Sequence, residues 1–282
     1  VPRPSGLKFV LRRLTSAIFQ SQTSLLEWLV PDFTENGIGM TSLSKSSPSA
    51  NFYRFATACC AYYVIAQVIQ EAALRHGIDD AATGEQGILQ RLRPLDQFRF
   101  VAILLSFFPI LVAFAAVALR RVRRSPAASV LGFTFSFLFV TAEVSTRSID
   151  LFLVSNKWAM EYHSASSPAI QQLIAGRIQL WEQSVGAFYF VLLAGHLLAS
   201  TCFAIATWDD YRWNRIVAVA FLLNALRLTS RVAEGYLGQN WLDPVNNAVY
   251  FPTVALIFGT LTAWLWKQTR MVRNEQEARR TV

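Results

Sequence analysis

Six stretches of this chain, about 52 to 74, 98 to 119, 127 to 154, 184 to 207, 213 to 237 and 247 to 267, are apolar. Each approaches the roughly 20 residues that a helix needs to cross a bilayer. A segment in hydrocarbon has no water to satisfy its peptide groups, so isolated strands are excluded and each stretch must be a helix. The fold class is therefore all-α, a polytopic membrane protein whose six transmembrane helices read as three hairpins. Composition agrees: 53% of the 282 residues are hydrophobic and only 16% charged, against about 25% charged in soluble domains. The net charge of +8 does not point to nucleic acid, because the basic residues gather in short segments beside the apolar runs, as topology signals do.

Those signals orient the chain. Lys8, Arg12, Arg13 and Arg54 precede or open the first span, "RRVRRSPA" follows the second, and Lys267, Arg270, Arg273, Arg279 and Arg280 follow the sixth. With six spans all three groups fall on one side, which predicts both termini in the cytoplasm or the mitochondrial matrix, and a bacterial or mitochondrial inner membrane as the location. Residues 1–50 form a separate segment. Leu7, Leu11, Leu14, Ile18, Leu25 and Trp28 recur at three- and four-residue steps among basic, Ser and Thr residues, which predicts an amphipathic helix that lies on a membrane or docks a partner. Its composition is also that of a transit peptide, and a chain that starts at Val1 reads as a processed or trimmed product. Residues 51–268 are the six-helix domain and 269–282 a basic tail. On the opposite side lie two longer connections, 75–97 and 155–183. In the second, Pro168 followed by Ile170, Leu173, Ile174, Ile178 and Trp181 predicts a short interfacial helix, either resting on the membrane or covering a cavity.

The odd-numbered spans carry charge. Gln67, Glu143 and Arg227 fall at one depth of spans one, three and five; Glu71, Arg147 and Arg231 lie one turn outward, and Asp150 and Glu234 one turn further. Spans three and five share the pattern charge-x3-Arg-x2-acid, as "EVSTRSID" and "RLTSRVAE", and steps of four and seven set each group on one helix face. A charge facing lipid at mid-membrane costs roughly 2.5 to 3.5 kcal/mol. The seven charged residues of this set are therefore expected to face inward, with Gln67 at the same layer, and to pair across the odd helices. Four acids against three arginines is close to balance, which fits an interhelical clamp; the same layer would serve as a polar substrate or proton pathway. Spans two, four and six are expected to lack it.

Other candidates are weaker. His196 lies mid-span in "LLAGHLLAS" and reads as a hydrogen-bonded interhelical histidine, with proton relay as the functional alternative. Metal or haem ligation would need companions at its depth, and His76 and His163 sit in outer connections. Cys59, Cys60 and Cys202 form no metal or disulfide pattern. Pro109 and Pro252 sit where they would kink spans two and six, and most of the tryptophans fall at span ends, as interfacial anchors do. No cofactor is expected.

Three hairpins in a basic chain superficially resemble the mitochondrial carrier family, but its Pro-x-acid-x-x-base signature is absent before Glu71, Glu143 and Arg227. The stretch from Tyr53 to Leu237, through "FRFVAILLSFFPILVAFAAVAL", "SVLGFTFSFLFVTAEV" and "GAFYFVLLAGHLLASTCFAI" followed by "NRIVAVAFLLNALRL", resembles small bacterial six-span proteins classed only as a domain of unknown function. Asn214 and Val217 to Ala220 stand where that family commonly has proline and glycines. The resemblance implies a six-helix bundle and no particular activity. The expected function is a non-catalytic accessory or scaffolding subunit in contact with membrane lipids and other membrane proteins; the alternative is a small transporter of an ion or polar solute that uses the charged layer.

Overall fold

The computed structural model describes residues 48–78 and 84–280, so the expected N-terminal amphipathic helix lies outside the described residues. Within them the chain is helical throughout, and six helices are long and apolar enough to cross a membrane. Helix α1, Ala50–Arg75, is span 1. A short α2, Gly84–Gln90, leads to α3, Pro94–Arg121, as span 2. Span 3 begins as α4, Pro126–Ser148, continues without a break as a π-helix, Ile149–Ala159, and ends in α5, Met160–Ser164. Span 4 is α6, Pro168–Thr207; span 5 is α7, Arg212–Leu237; span 6 is α8, Asp243–Arg280, entered through a 3-10 turn, Asn240–Leu242.

The sequence marks these boundaries chemically. The Ser49 hydroxyl accepts the Phe52 amide N–H at 3.3 Å and caps α1. Pro94, Pro126 and Pro168 each stand in the first turn of a span, where the missing N–H has no helical partner to lose. Gly238 ends α7 in the left-handed conformation, φ 69°, which a side chain would strain. Pro109 and Pro252, by contrast, sit inside helices that run on through them.

Packing does not divide into three separate hairpins. Each span lies against its sequence neighbours and span 6 closes on span 1, giving a ring in the order 1-2-3-4-5-6. Span 2 also touches spans 4 and 6, and its most apolar window is 61% buried against 33–44% for the others, so it fills the middle of the ring. Phe107, Phe114, Phe139, Phe203, Phe221 and Phe258, drawn from spans 2, 3, 4, 5 and 6, interlock there with Tyr53 and Tyr63 of span 1. Helix polarity follows from the up-and-down order. One end of the bundle carries the start of α1, the 122–125 turn, the 208–211 turn and the end of α8; it is called the terminal end below.

The expected interfacial helix is corrected. Pro168 does open a helix, but that helix runs uninterrupted for 40 residues to Thr207 as span 4 itself. Part of its apolar stripe finds a partner in the chain: Ile174 and Ile178 are buried against Val154, Ala159 and Tyr162 of the span 3 continuation and against Ile88 of α2, while Ile170 and Leu173 stay exposed. At 1.5 Å per residue, spans 3 and 4, 39 and 40 residues long, measure about 60 Å, roughly twice a hydrocarbon core. An Arg91–Glu182 ion pair, 3.0 Å, fastens α2 to this paired extension.

Candidate functional site

The residues of the expected charged layer are buried or half-buried, and their ion pairs run along helices and not between the odd ones. Arg75 Nε meets Glu71 Oε1 at 2.7 Å, Arg147 Nε meets Glu143 Oε2 at 3.3 Å, and Arg231 Nη1 meets Glu234 Oε2 at 3.2 Å. The cause is geometric. Partners three or four residues apart already share a helix face, whereas the ring order interposes an even span between any two odd ones.

The even spans, expected to lack polar groups here, supply the bonds that cross between helices. Span 6 gives Tyr250, whose hydroxyl donates to Gln67 Oε1 of span 1 at 3.2 Å and whose ring lies 5.3 Å below the Arg227 guanidinium. It also gives Asn246, which accepts from the Ser230 hydroxyl and donates to Glu234, and Asn247, which accepts from Arg231 at 3.0 Å. Span 4 gives Trp181, whose indole N–H donates to Asp150 Oδ1 at 2.7 Å where the π-helix begins. Gln67 of span 1 and Arg227 of span 5 thus meet at Tyr250 of span 6.

One helical turn toward the terminal end, Asn224 of span 5 organises a fully internal triad. Both Nε and Nη2 of Arg227 donate to Asn224 Oδ1, at 3.2 and 3.0 Å, which fixes the amide orientation. Its nitrogen then faces Ser200 Oγ at 2.8 Å and His196 Nε2 at 2.9 Å. An amide N–H aimed at Nε2 requires that nitrogen to accept, which leaves the imidazole proton on Nδ1. The ring is stacked on Phe139 at 4.1 Å between centroids. His196 is thus an interhelical hydrogen-bonding histidine. Among the described residues no three His, Cys, Asp or Glu side chains gather as a metal site.

A second polar centre, at the terminal end, was missed in the sequence. Asp209, in the four-residue turn between spans 4 and 5, has a side chain only 2% exposed and accepts four hydrogen bonds: from Arg121 Nη2 at 2.9 Å, Arg124 Nη1 at 3.1 Å, Asn214 Nδ2 at 2.8 Å and the Tyr211 amide at 2.9 Å. Arg121 also donates through Nε to the Ala206 carbonyl at 2.7 Å, and the indole of the fully buried Trp264 donates to Asn214 Oδ1 at 2.8 Å. Spans 2, 4, 5 and 6 are tied at one point. Burial raises the Asp209 carboxyl, but the hydrogen bonds from Asn214, Tyr211 and Arg121, with the Arg121 charge, outweigh it and hold the group below its ordinary value. The connection "WDDYRWNR" holds two acids and two bases that cancel in a count; the signal that could have found it is a short acidic turn on the same side as "RRVRR".

No protein-family model matches the chain, and neither a curated protein nor a solved structure matches it.

Proposed function

We propose that the protein is a non-catalytic integral membrane subunit of a bacterial or mitochondrial inner membrane, working as an accessory or scaffold that packs against other membrane proteins. The observation that carries this reading is the use to which the interior charge is put. All four acids of the layer are engaged within the chain: Glu143 and Glu234 by half-buried arginines of their own helices, Asp150 by Trp181, and Glu71 by the exposed Arg75 at the end of span 1. Satisfied networks of this kind rigidify a bundle. Residues 1–50 would provide the docking segment, as an amphipathic helix on the membrane or on a partner, with both termini on the cytoplasmic or matrix side.

A specific observation favours a second reading. Arg227 forms no ion pair among the described residues; its partners are the Asn224 amide and the Tyr250 ring. A central guanidinium without a carboxylate is a site for an anionic solute, and a small transporter would use it. Reconstitution of the isolated full chain in liposomes with a panel of ions and polar solutes separates the two. Saturable flux that is abolished by Arg227→Gln in a folded variant refutes the scaffold reading. Absence of flux, together with co-purification of a larger assembly that is lost on removal of residues 1–50, is the result expected.

A further inference from the structure

At the terminal end the turn that follows span 2 does more than mark topology. We propose that Arg120, Arg121, Arg123 and Arg124 form a binding site for a phosphate group, and specifically for the phosphodiester of an anionic phospholipid headgroup.

A topology signal needs positive charge on one side of the membrane and nothing more. Here the four arginines line a concave space of about 290 Å³ between the end of span 2, the Asp209 turn and span 6. Among the described residues the one carboxylate in its wall is Asp209, whose four accepted hydrogen bonds come close to the capacity of a carboxylate. It is committed to holding the wall together. Arg121, 6% exposed, serves the same purpose, through the Ala206 carbonyl and Asp209. Arg120 is steadied at its Nε by Gln268 Oε1 at 2.8 Å and loosely at Nη2 by Glu275 at 3.4 Å. Arg124 uses one N–H on Asp209 while its side chain remains 65% exposed. A guanidinium carries five N–H donors, so Arg120 and Arg124 keep donors beyond these bonds, held by partners that restrict their rotamers in advance. Preset forks of this kind match the oxygens of a phosphate, which accepts two parallel bonds from one arginine.

The depth of the pocket argues for a lipid as the source. Tyr211 lines it, and the Lys267 ammonium lies 5.4 Å from the Tyr211 ring and 4.7 Å from the Trp213 ring, with exposed Trp208 and Trp266 close by in sequence. Aromatic rings collect at headgroup level, and basic pockets between transmembrane helices hold anionic headgroups. The proposal is independent of whether the protein is a scaffold or a transporter, and its failure would leave that question as it stands.

The test uses the full chain, delipidated in neutral detergent and titrated with phosphatidylglycerol, phosphatidylcholine or inorganic phosphate while bound ligand is read by native mass spectrometry. Arg123→Gln/Arg124→Gln alters the two exposed arginines and leaves the buried Arg121–Asp209 pair in place; Arg270→Gln/Arg273→Gln removes the same charge from the same end outside the pocket wall. The expected result is saturable phosphatidylglycerol binding, at least tenfold tighter than phosphatidylcholine, weakened tenfold or more in the pocket variant and by less than threefold in the control. Phosphate binding that is equally tight and equally sensitive would uphold the phosphate site and overturn the lipid as its occupant. Equal uptake of the two lipids, or equal loss in the two variants, would overturn the site itself, the second by reducing it to diffuse surface charge.

Discussion

Replacing Asp209 by asparagine tests whether the terminal end is held by one buried carboxylate. The substitution keeps shape and removes charge, so Arg121, whose side chain is 7% exposed, loses its charge partner and keeps only neutral acceptors, the Ala206 carbonyl and the asparagine amide oxygen. Breaking a buried pair in this way costs about 3–5 kcal/mol. The Arg124 contact adds little, since that side chain is 65% exposed and solvent screens it. An asparagine amide must also turn its NH2 toward one of four donors, which adds a clash between donors rather than a rescue. Thermal unfolding in detergent can be followed with a thiol-reactive dye, because Cys59 and Cys60 are buried and become reactive on unfolding. At roughly 2–4 °C per kcal/mol, Asp209→Asn should lower the midpoint by at least about 6 °C. Asp210→Asn is the internal control: Asp210 is 98% exposed and bonded to a half-exposed Arg215, so its midpoint should not move. The pH dependence has a defined sign. Because the folded carboxyl sits below its ordinary value of 3.8, its contribution is complete above that value and is lost as pH falls through the lowered one. The gap between wild type and Asp209→Asn should therefore be constant from neutral pH down to about 5 and close at greater acidity. A shift no larger than that of Asp210→Asn, or a gap that widens with acid, would refute the reasoning.

Asn224→Leu removes four hydrogen bonds at once, and at about 0.6 kcal/mol per intramembrane bond should cost about 2 kcal/mol, read by the same dye assay. Gly132→Ala places a methyl 2.9 Å from two ring carbons of the fully buried Phe203; the overpacking should cost about 1–3 kcal/mol, whereas Gly186→Ala, which meets nothing within 4 Å, should be neutral. Double-mutant cycles should find Glu143 and Arg147 coupled, because they pair along one helix at 3.3 Å, while Glu71 and Arg147 show no coupling above about 0.3 kcal/mol. Coupling of Glu71 with Arg147 equal to that of Glu143 would restore the clamp between odd helices.

The span count was legible in the sequence because it follows from a local rule, that apolar length sets a crossing; the outer ends of spans 3 and 4 were not, since Pro168 opens span 4 itself and not a separate helix before residue 184. The layer at Glu143, Arg147, Arg227 and Arg231 was legible for a related reason, since helical periodicity states which residues share a face. Which faces meet is another matter. Periodicity says nothing about the order of helices around a ring, so the charges of spans 3 and 5 were matched to each other although span 4 lies between them. The residues that close the network, Tyr250, Asn246, Asn224 and Trp181, are uncharged. They carry no hydropathy penalty large enough to mark them as groups in need of a partner. Asp209 was hidden by the opposite effect, since it stands in a polar turn where a charge needs no explanation until Arg121 is found buried against it. Both omissions have one origin. A sequence exposes the cost of a charge placed in lipid, whereas the groups that relieve the cost come from elements whose adjacency only the folded chain decides. The polar centre of this bundle is for that reason divided between helices that announce themselves and helices that do not.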